Sequence, residues 1–193
     1  MRDKDIREVL LPWIKRQYPG CRLSQEQAMA RSSADVVAFT QDEIIVFEIK
    51  SDYDTCKRLP SQLRSYEQAA SRICLVTGRR HALAALAHPA WMGTILVADE
   101  ELLVVRVMSE NPQRSRKGVL GVLWKSEVQA LLERHGRLKG HKSKTGYWLR
   151  VHAAEQLSMA IIDLALCSAV RCRVDWRDSD GKRQSQRRRR RRW

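Results

Sequence analysis

The sequence predicts an α/β protein: a mixed central sheet built in the order α, β, β, β, α, β, followed by a small helical C-terminal extension. Three observations predict it. Two β-branched runs, 34–39 and 44–50, flank the polar turn Thr40-Gln41-Asp42-Glu43, a strand, turn, strand signature. Apolar residues on either side of that pair recur at helical spacing. Beyond the polar, basic stretch 111–118, two further amphipathic helical segments follow.

In chain order, Asp3 to Gln17 places Ile6, Val9, Leu10, Trp13 and Ile14 on one helical face, with Pro12 expected to kink or shorten the helix and Tyr18-Pro19-Gly20 to close it. A polar stretch follows, with a first strand near Cys21 to Gln25, and then the strand pair. From Thr55, the residues Leu59, Gln62, Leu63, Tyr66, Ala69 and Ala70 share one helical face, and Arg72 to Thr77 is a short apolar strand ended by Gly78. Arg79 to Ala87 reads as helix, and Thr94 to Ala98 and Leu102 to Val107 as strands. Lys125 to His135 and Val151 to Ala169 read as two helices joined by a Gly- and Lys-rich segment. The expected division is a core at 1–110, a linker at 111–118, a helical extension at 119–175 and a disordered basic tail at 176–193.

The formal net charge is +14, which points to nucleic acid as a partner rather than to any fold. Lys182 to Trp193 holds eight basic residues and no acidic ones, so the preceding residues carry +6, from 14 minus 8. The five cysteines (Cys21, Cys56, Cys74, Cys167, Cys172) are an odd number without CxxC spacing, which argues against a disulfide framework or zinc site and for a reducing cytoplasm. Met1 to Glu8 is charged, unlike a signal peptide, and no apolar run nears the roughly 18 residues of a membrane span. The five histidines show no HxxxH or HExxH spacing, and Ser51, Cys56 and Cys74 show no nucleophile-and-base pattern.

Chemistry concentrates at the strand pair. Alternation along a strand puts Glu48 and Lys50 on one face, about 7 Å apart. Taken alone the triplet also fits a surface ion pair, since the chain is 30% charged and Asp180-Gly181-Lys182 has the same pattern. Asp35 adds weight: a carboxylate inside the apolar run Ala34-Asp35-Val36-Val37-Ala38-Phe39 is costly to bury without a cation. Across a hairpin Asp35 and Glu48 converge, which suits Mg²⁺ or Mn²⁺, hard cations that take oxygen ligands and substrate phosphate.

Asp35 followed by Glu48-Ile49-Lys50, within the α-β-β-β-α-β order, resembles the PD-(D/E)xK, or restriction-endonuclease-like, superfamily. Gln62-Leu63-Arg64-Ser65-Tyr66 resembles the QxxxY element of RecB-type nucleases, its i, i+4 spacing placing both side chains on one helix face; an ordinary amphipathic helix gives the same spacing. The run from Ala34 through Ser51-Asp52, Arg58-Leu59-Pro60 and Leu75-Val76-Thr77 is also similar to a group of bacterial and phage-associated proteins placed in that superfamily by motif. The resemblance covers about residues 20 to 107. It implies a metal-dependent nuclease hydrolysing DNA, with Asp35 and Glu48 holding Mg²⁺ or Mn²⁺, Lys50 at the attacking water, and Gln62 and Tyr66 shaping the site. It also implies an arginine two positions before the aspartate, where Ser33 stands and Arg31 is the near substitute, and a metal-ligating glutamate on the first helix, for which Glu8 is the first candidate and Glu26 the second. Lys57 and Arg58 are candidate phosphate contacts.

Lys139, Lys142 and Lys144 lie in the Gly- and Lys-rich segment, where loop amides and lysines commonly grip phosphates; packing of a helical pair on the core accounts for the segment equally well. Arg188 and Arg190 in the tail add a salt-sensitive attraction to nucleic acid without sequence selection, and Trp193 can stack on a base. DNA is the expected partner ahead of RNA. The alternative is a catalytically silent protein of the same fold that binds DNA or inhibits a protein partner. A structural RNA-binding protein would explain the tail but not Asp35.

Overall fold

A computed structural model describes residues 1–173. Its centre is a six-stranded mixed sheet in which spatial order follows chain order: β1 (Arg22–Met29), β2 (Ser32–Phe39), β3 (Ile44–Lys50), β4 (Arg72–Thr77), β5 (Gly93–Ala98) and β6 (Glu101–Arg106). The pairs β1–β2, β2–β3 and β5–β6 are antiparallel, and β3–β4 and β4–β5 are parallel. The parallel pairs need crossovers, supplied by α2 (Leu59–Glu67) between β3 and β4 and by α3 (Ala82–Leu86) between β4 and β5. The α/β class is thus the observed one, with the first six elements in the expected order.

The first helix, α1 (Asp3–Gln17), buries Ile6, Leu10 and Ile14 against one face of the sheet, where Val36, Ala38, Ile45, Phe47, Ile49, Cys74, Val76, Ile95 and Val97 form a closed apolar cluster. Pro12 lies inside this helix rather than ending it. The other face, with Val37, Phe39, Ile44, Val46, Ile73 and Leu75, packs against α2 and against α4 (Arg116–Gly121), α5 (Lys125–Arg134), α6 (Gly146–Gln156) and α7 (Met159–Cys172) in one shared cluster. Every residue of β3 is buried, as expected of a strand covered on both faces.

Several boundaries differ from those expected of the sequence. β1 runs on to Met29, past the expected Gln25, because its partner strand begins at Ser32 and pairs with it from Arg22↔Phe39 to Met29↔Ser32, skipping only Glu26 and Asp35. The expected single helix 151–169 is two: Leu157 is extended, and Ser158 caps the second by accepting from the Ile161 amide. The stretch 111–118 is tied to the core rather than loosely strung. Buried Asn111 donates to the Glu67 and Ala70 carbonyls, Arg114 pairs with Asp163 of α7, and Arg116 begins α4. Gly118 sits against the Gln68 carbonyl, where a Cβ would fall 2.1 Å from the oxygen, so a side chain here would push α4 off α2. No helix among the described residues is long and apolar enough to cross a membrane.

Candidate active site

The β2–β3 ladder runs from Phe39↔Ile44 to Val36↔Phe47, and there β2 parts from β3. At the fork a side chain takes over from the backbone: Asp35 Oδ2 accepts from the Ile49 amide at 2.7 Å. The sequence places a carboxylate at the end of the ladder, and the strand end is left with an amide for it to satisfy. Because Ile45, Phe47 and Ile49 turn toward α1, alternation sends Glu48 and Lys50 to the opposite face, under α2.

Glu48 is completely buried, and both its oxygens are held. Lys50 Nζ donates to Oε1 at 2.6 Å, and the Tyr66 hydroxyl lies 2.8 Å from Oε2. The same hydroxyl lies 2.6 Å from the Ser33 carbonyl oxygen, so its one proton has two acceptors. Lys50 Nζ also donates to Gln62 Oε1 at 3.2 Å, and its side chain is 9% exposed. Gln62 and Tyr66 stand one turn apart on the buried face of α2. Burial, reinforced by the Glu48 charge, pushes the Tyr66 phenol far up, so it stays protonated as a donor.

Asp35 is the outer carboxylate, with its side chain 19% exposed. Burial first, and the Glu48 charge second, push it up to about 7, against the lowering pull of the Ile49 amide, Lys50 and Arg7. Arg7 reaches it from α1, donating to the Asp35 carbonyl at 3.0 Å and lying 3.7 Å from Oδ1. Arg7 also binds Asp3, Gln25 and Glu26.

The structure therefore brings together Asp35, Glu48, Lys50, Gln62 and Tyr66. Glu8 is not among the residues bonded to this group: it is 66% exposed on α1 and lies 3.7 Å from Lys4. One position along the helix, Arg7 makes the contact with Asp35, and Glu26 enters through its ion pair with Arg7. The signal for Arg7 was its place on α1, one turn before buried Leu10 and two before buried Ile14. Ser33 contributes its carbonyl to Tyr66, and Arg31 is exposed at the β1–β2 turn. Lys57 and Arg58 are exposed on the 3₁₀ turn Cys56–Arg58 that leads into α2. Lys139, Lys142 and Lys144 are exposed together on the α5–α6 connection, Lys142 3.3 Å from Glu133 and Lys144 5.5 Å from the Trp148 ring centroid. Arg188 and Arg190 lie outside the described residues.

Among the described residues no group of three or more His, Cys, Asp and Glu side chains is placed to hold a metal. Asp35 and Glu48 form an all-oxygen pair, of the kind that suits Mg²⁺ or Mn²⁺ when backbone, water and phosphate oxygens complete the shell. The hydrogen bonds to Glu48 leave lone pairs on both oxygens. Burial, and after it the Glu48 charge, raise Asp35 against the lowering pull of the Ile49 amide, Lys50 and Arg7.

Comparison with known proteins gives one solved structure, the SPO1766 protein of unknown function from Silicibacter pomeroyi, 17% identical, with a TM-score of 0.44 and an alignment spanning 68% of this chain and 89% of that one. No curated protein matches the chain. The family model for bacteriophage P4 protein cII matches residues 4–189, nearly the whole chain, which therefore belongs to that family.

Proposed function

We propose that the chain is a metal-dependent nuclease that hydrolyses DNA phosphodiester bonds, with a PD-(D/E)xK-type centre of Asp35, Glu48 and Lys50. One observation carries the reading: where two neighbouring strands part, Asp35 on one binds the Ile49 amide of the other, next to Glu48, whose carboxylate has a lysine ammonium 2.6 Å away. A divalent cation, when bound by Asp35 and Glu48, supplies charge neutralisation at a phosphate and an activated nucleophile. Lys50 orients the attacking water and stabilises negative charge developing on phosphate. Gln62 holds Lys50, and Tyr66 holds Glu48, so each reacting group keeps its place without solvent. Membership of a bacteriophage protein family supports a phage-associated role. The basic surface and tail supply the electrostatic part of DNA binding.

A second reading, a catalytically silent protein that binds DNA or a protein partner, is favoured by the closure of the centre: Glu48 is fully buried and satisfied by Lys50 and Tyr66. Cleavage of supercoiled, linear and single-stranded DNA by the wild type and by Lys50→Ala, with Mg²⁺, Mn²⁺ or EDTA, separates the two. The nuclease reading expects metal-dependent cleavage that is lost in the variant and in EDTA. Binding without cleavage on all three substrates would overturn it in favour of the second reading.

A further inference from the structure

The parallel pairing of β3 with β4, down to Lys50↔Thr77, brings the loops that leave these strands to the same end of the sheet. The Gly78 amide donates to the Lys50 carbonyl at 3.3 Å, and the Arg80 amide to Asp52 Oδ1 at 3.0 Å, so the two loops are fastened together. Across this junction Cys56 Sγ lies 3.4 Å from His81 Nδ1, and His81 Nε2 lies 3.1 Å from the Asp54 carbonyl oxygen. A carbonyl oxygen only accepts, so Nε2 carries the ring proton and Nδ1 of the neutral imidazole is a bare acceptor facing the thiol. A nucleophile, a base within hydrogen-bond reach and a third group that fixes the base are the parts of an activated-nucleophile site.

We propose that Cys56, His81 and Asp54 form a reactive-thiol site at which Cys56 takes up low-molecular-weight disulfides. The thiol proton passes to His81 Nδ1 as the Cys56 sulfur attacks one sulfur of the disulfide. A protein–ligand S–S bond forms, the ligand's own S–S bond breaks, and the departing thiolate takes up the proton. Cys56 is oxidised to a mixed disulfide and the departing half is reduced to a thiol, so no other oxidant is needed. Exposed Lys57 and Arg58, next in the chain, favour an anionic disulfide such as glutathione disulfide. The other cysteines lack this arrangement. Cys74 and Cys167 are buried, with their sulfurs against backbone carbonyls, and burial pushes both thiols up; burial also raises Cys21. Cys172 is exposed and serves as the reference thiol. This site stands apart from the nuclease reading, although Cys56 begins the turn that leads into the helix carrying Gln62 and Tyr66.

The test is site-resolved mass spectrometry of the full-length protein during reaction with glutathione disulfide at neutral pH. Cys56 is expected to react about tenfold or more faster than Cys172, and His81→Asn to remove that advantage. Cys172 should keep its rate in the variant, and Cys74 and Cys167 should stay protected, reporting an intact fold. Equal wild-type rates at Cys56 and Cys172, or an unchanged Cys56 rate in a folded His81→Asn, would overturn the proposal. Should His81→Asn unmask Cys74, the wild-type comparison of Cys56 with Cys172 decides alone.

Discussion

Glu48 and Asp35 both lie where β2 parts from β3, yet the protein treats them in opposite ways. Glu48 sits under α2 with a lysine on one oxygen and a tyrosine on the other, sealed from solvent. Asp35 stays partly open, takes one backbone amide, and has an arginine 3.7 Å from its other oxygen. The inner carboxylate has a hydrogen-bond partner on each oxygen, whereas burial first and the Glu48 charge second push the outer one up to about 7. The difference leaves Glu48 held in place on both oxygens and Asp35 open to solvent on one side.

The comparison breaks most severely if the inner carboxylate is removed. Glu48→Ala leaves the Lys50 ammonium buried without its carboxylate and should cost about 3–5 kcal/mol of unfolding free energy, read from denaturant midpoints. The outer carboxylate gives a smaller effect with a definite sign. Asp35 titrates at about 7 in the folded protein and 3.8 as its ordinary value, so between these pH values the folded state holds more protons than the unfolded one. Metal-free stability should therefore fall as pH rises from about 4 to 7 and level off above that. Asp35→Asn should remove this slope; a slope that survives in the variant would assign it to other groups. Tyr66→Phe should have the smallest effect, about 1–2 kcal/mol, because it leaves Glu48 paired with Lys50 and loses only the bonds made by the hydroxyl.

Much of this centre was legible in the sequence, because two periodicities carry it. A period of two put Glu48 and Lys50 on one face, the hairpin turn at 40–43 brought Asp35 to them, and a spacing of four put Gln62 beside Tyr66. What escaped is what those periods do not encode. The contact of α1 with Asp35 depends on how the helix is rotated on the sheet, and a shift of one residue, from Glu8 to Arg7, turns a carboxylate toward solvent and a guanidinium inward. Ser158 looked like one more residue in an apolar helical run, so the break between α6 and α7 was hidden by continuous periodicity. Cys56 and His81 showed no pattern because the parallel alignment of β3 with β4, a tertiary fact, joins their loops.

The order of strands has a consequence in time. Because each strand pairs with the next one in the chain, no strand waits for a distant partner before it can dock, and the sheet can grow from one side as the chain emerges. Asp35, Glu48 and Lys50 lie on strands adjacent in the chain, and α2 and the C-terminal helices that close the face above them come later in the sequence. Glu48 is closed off only when α2, which carries Gln62 and Tyr66, covers that face.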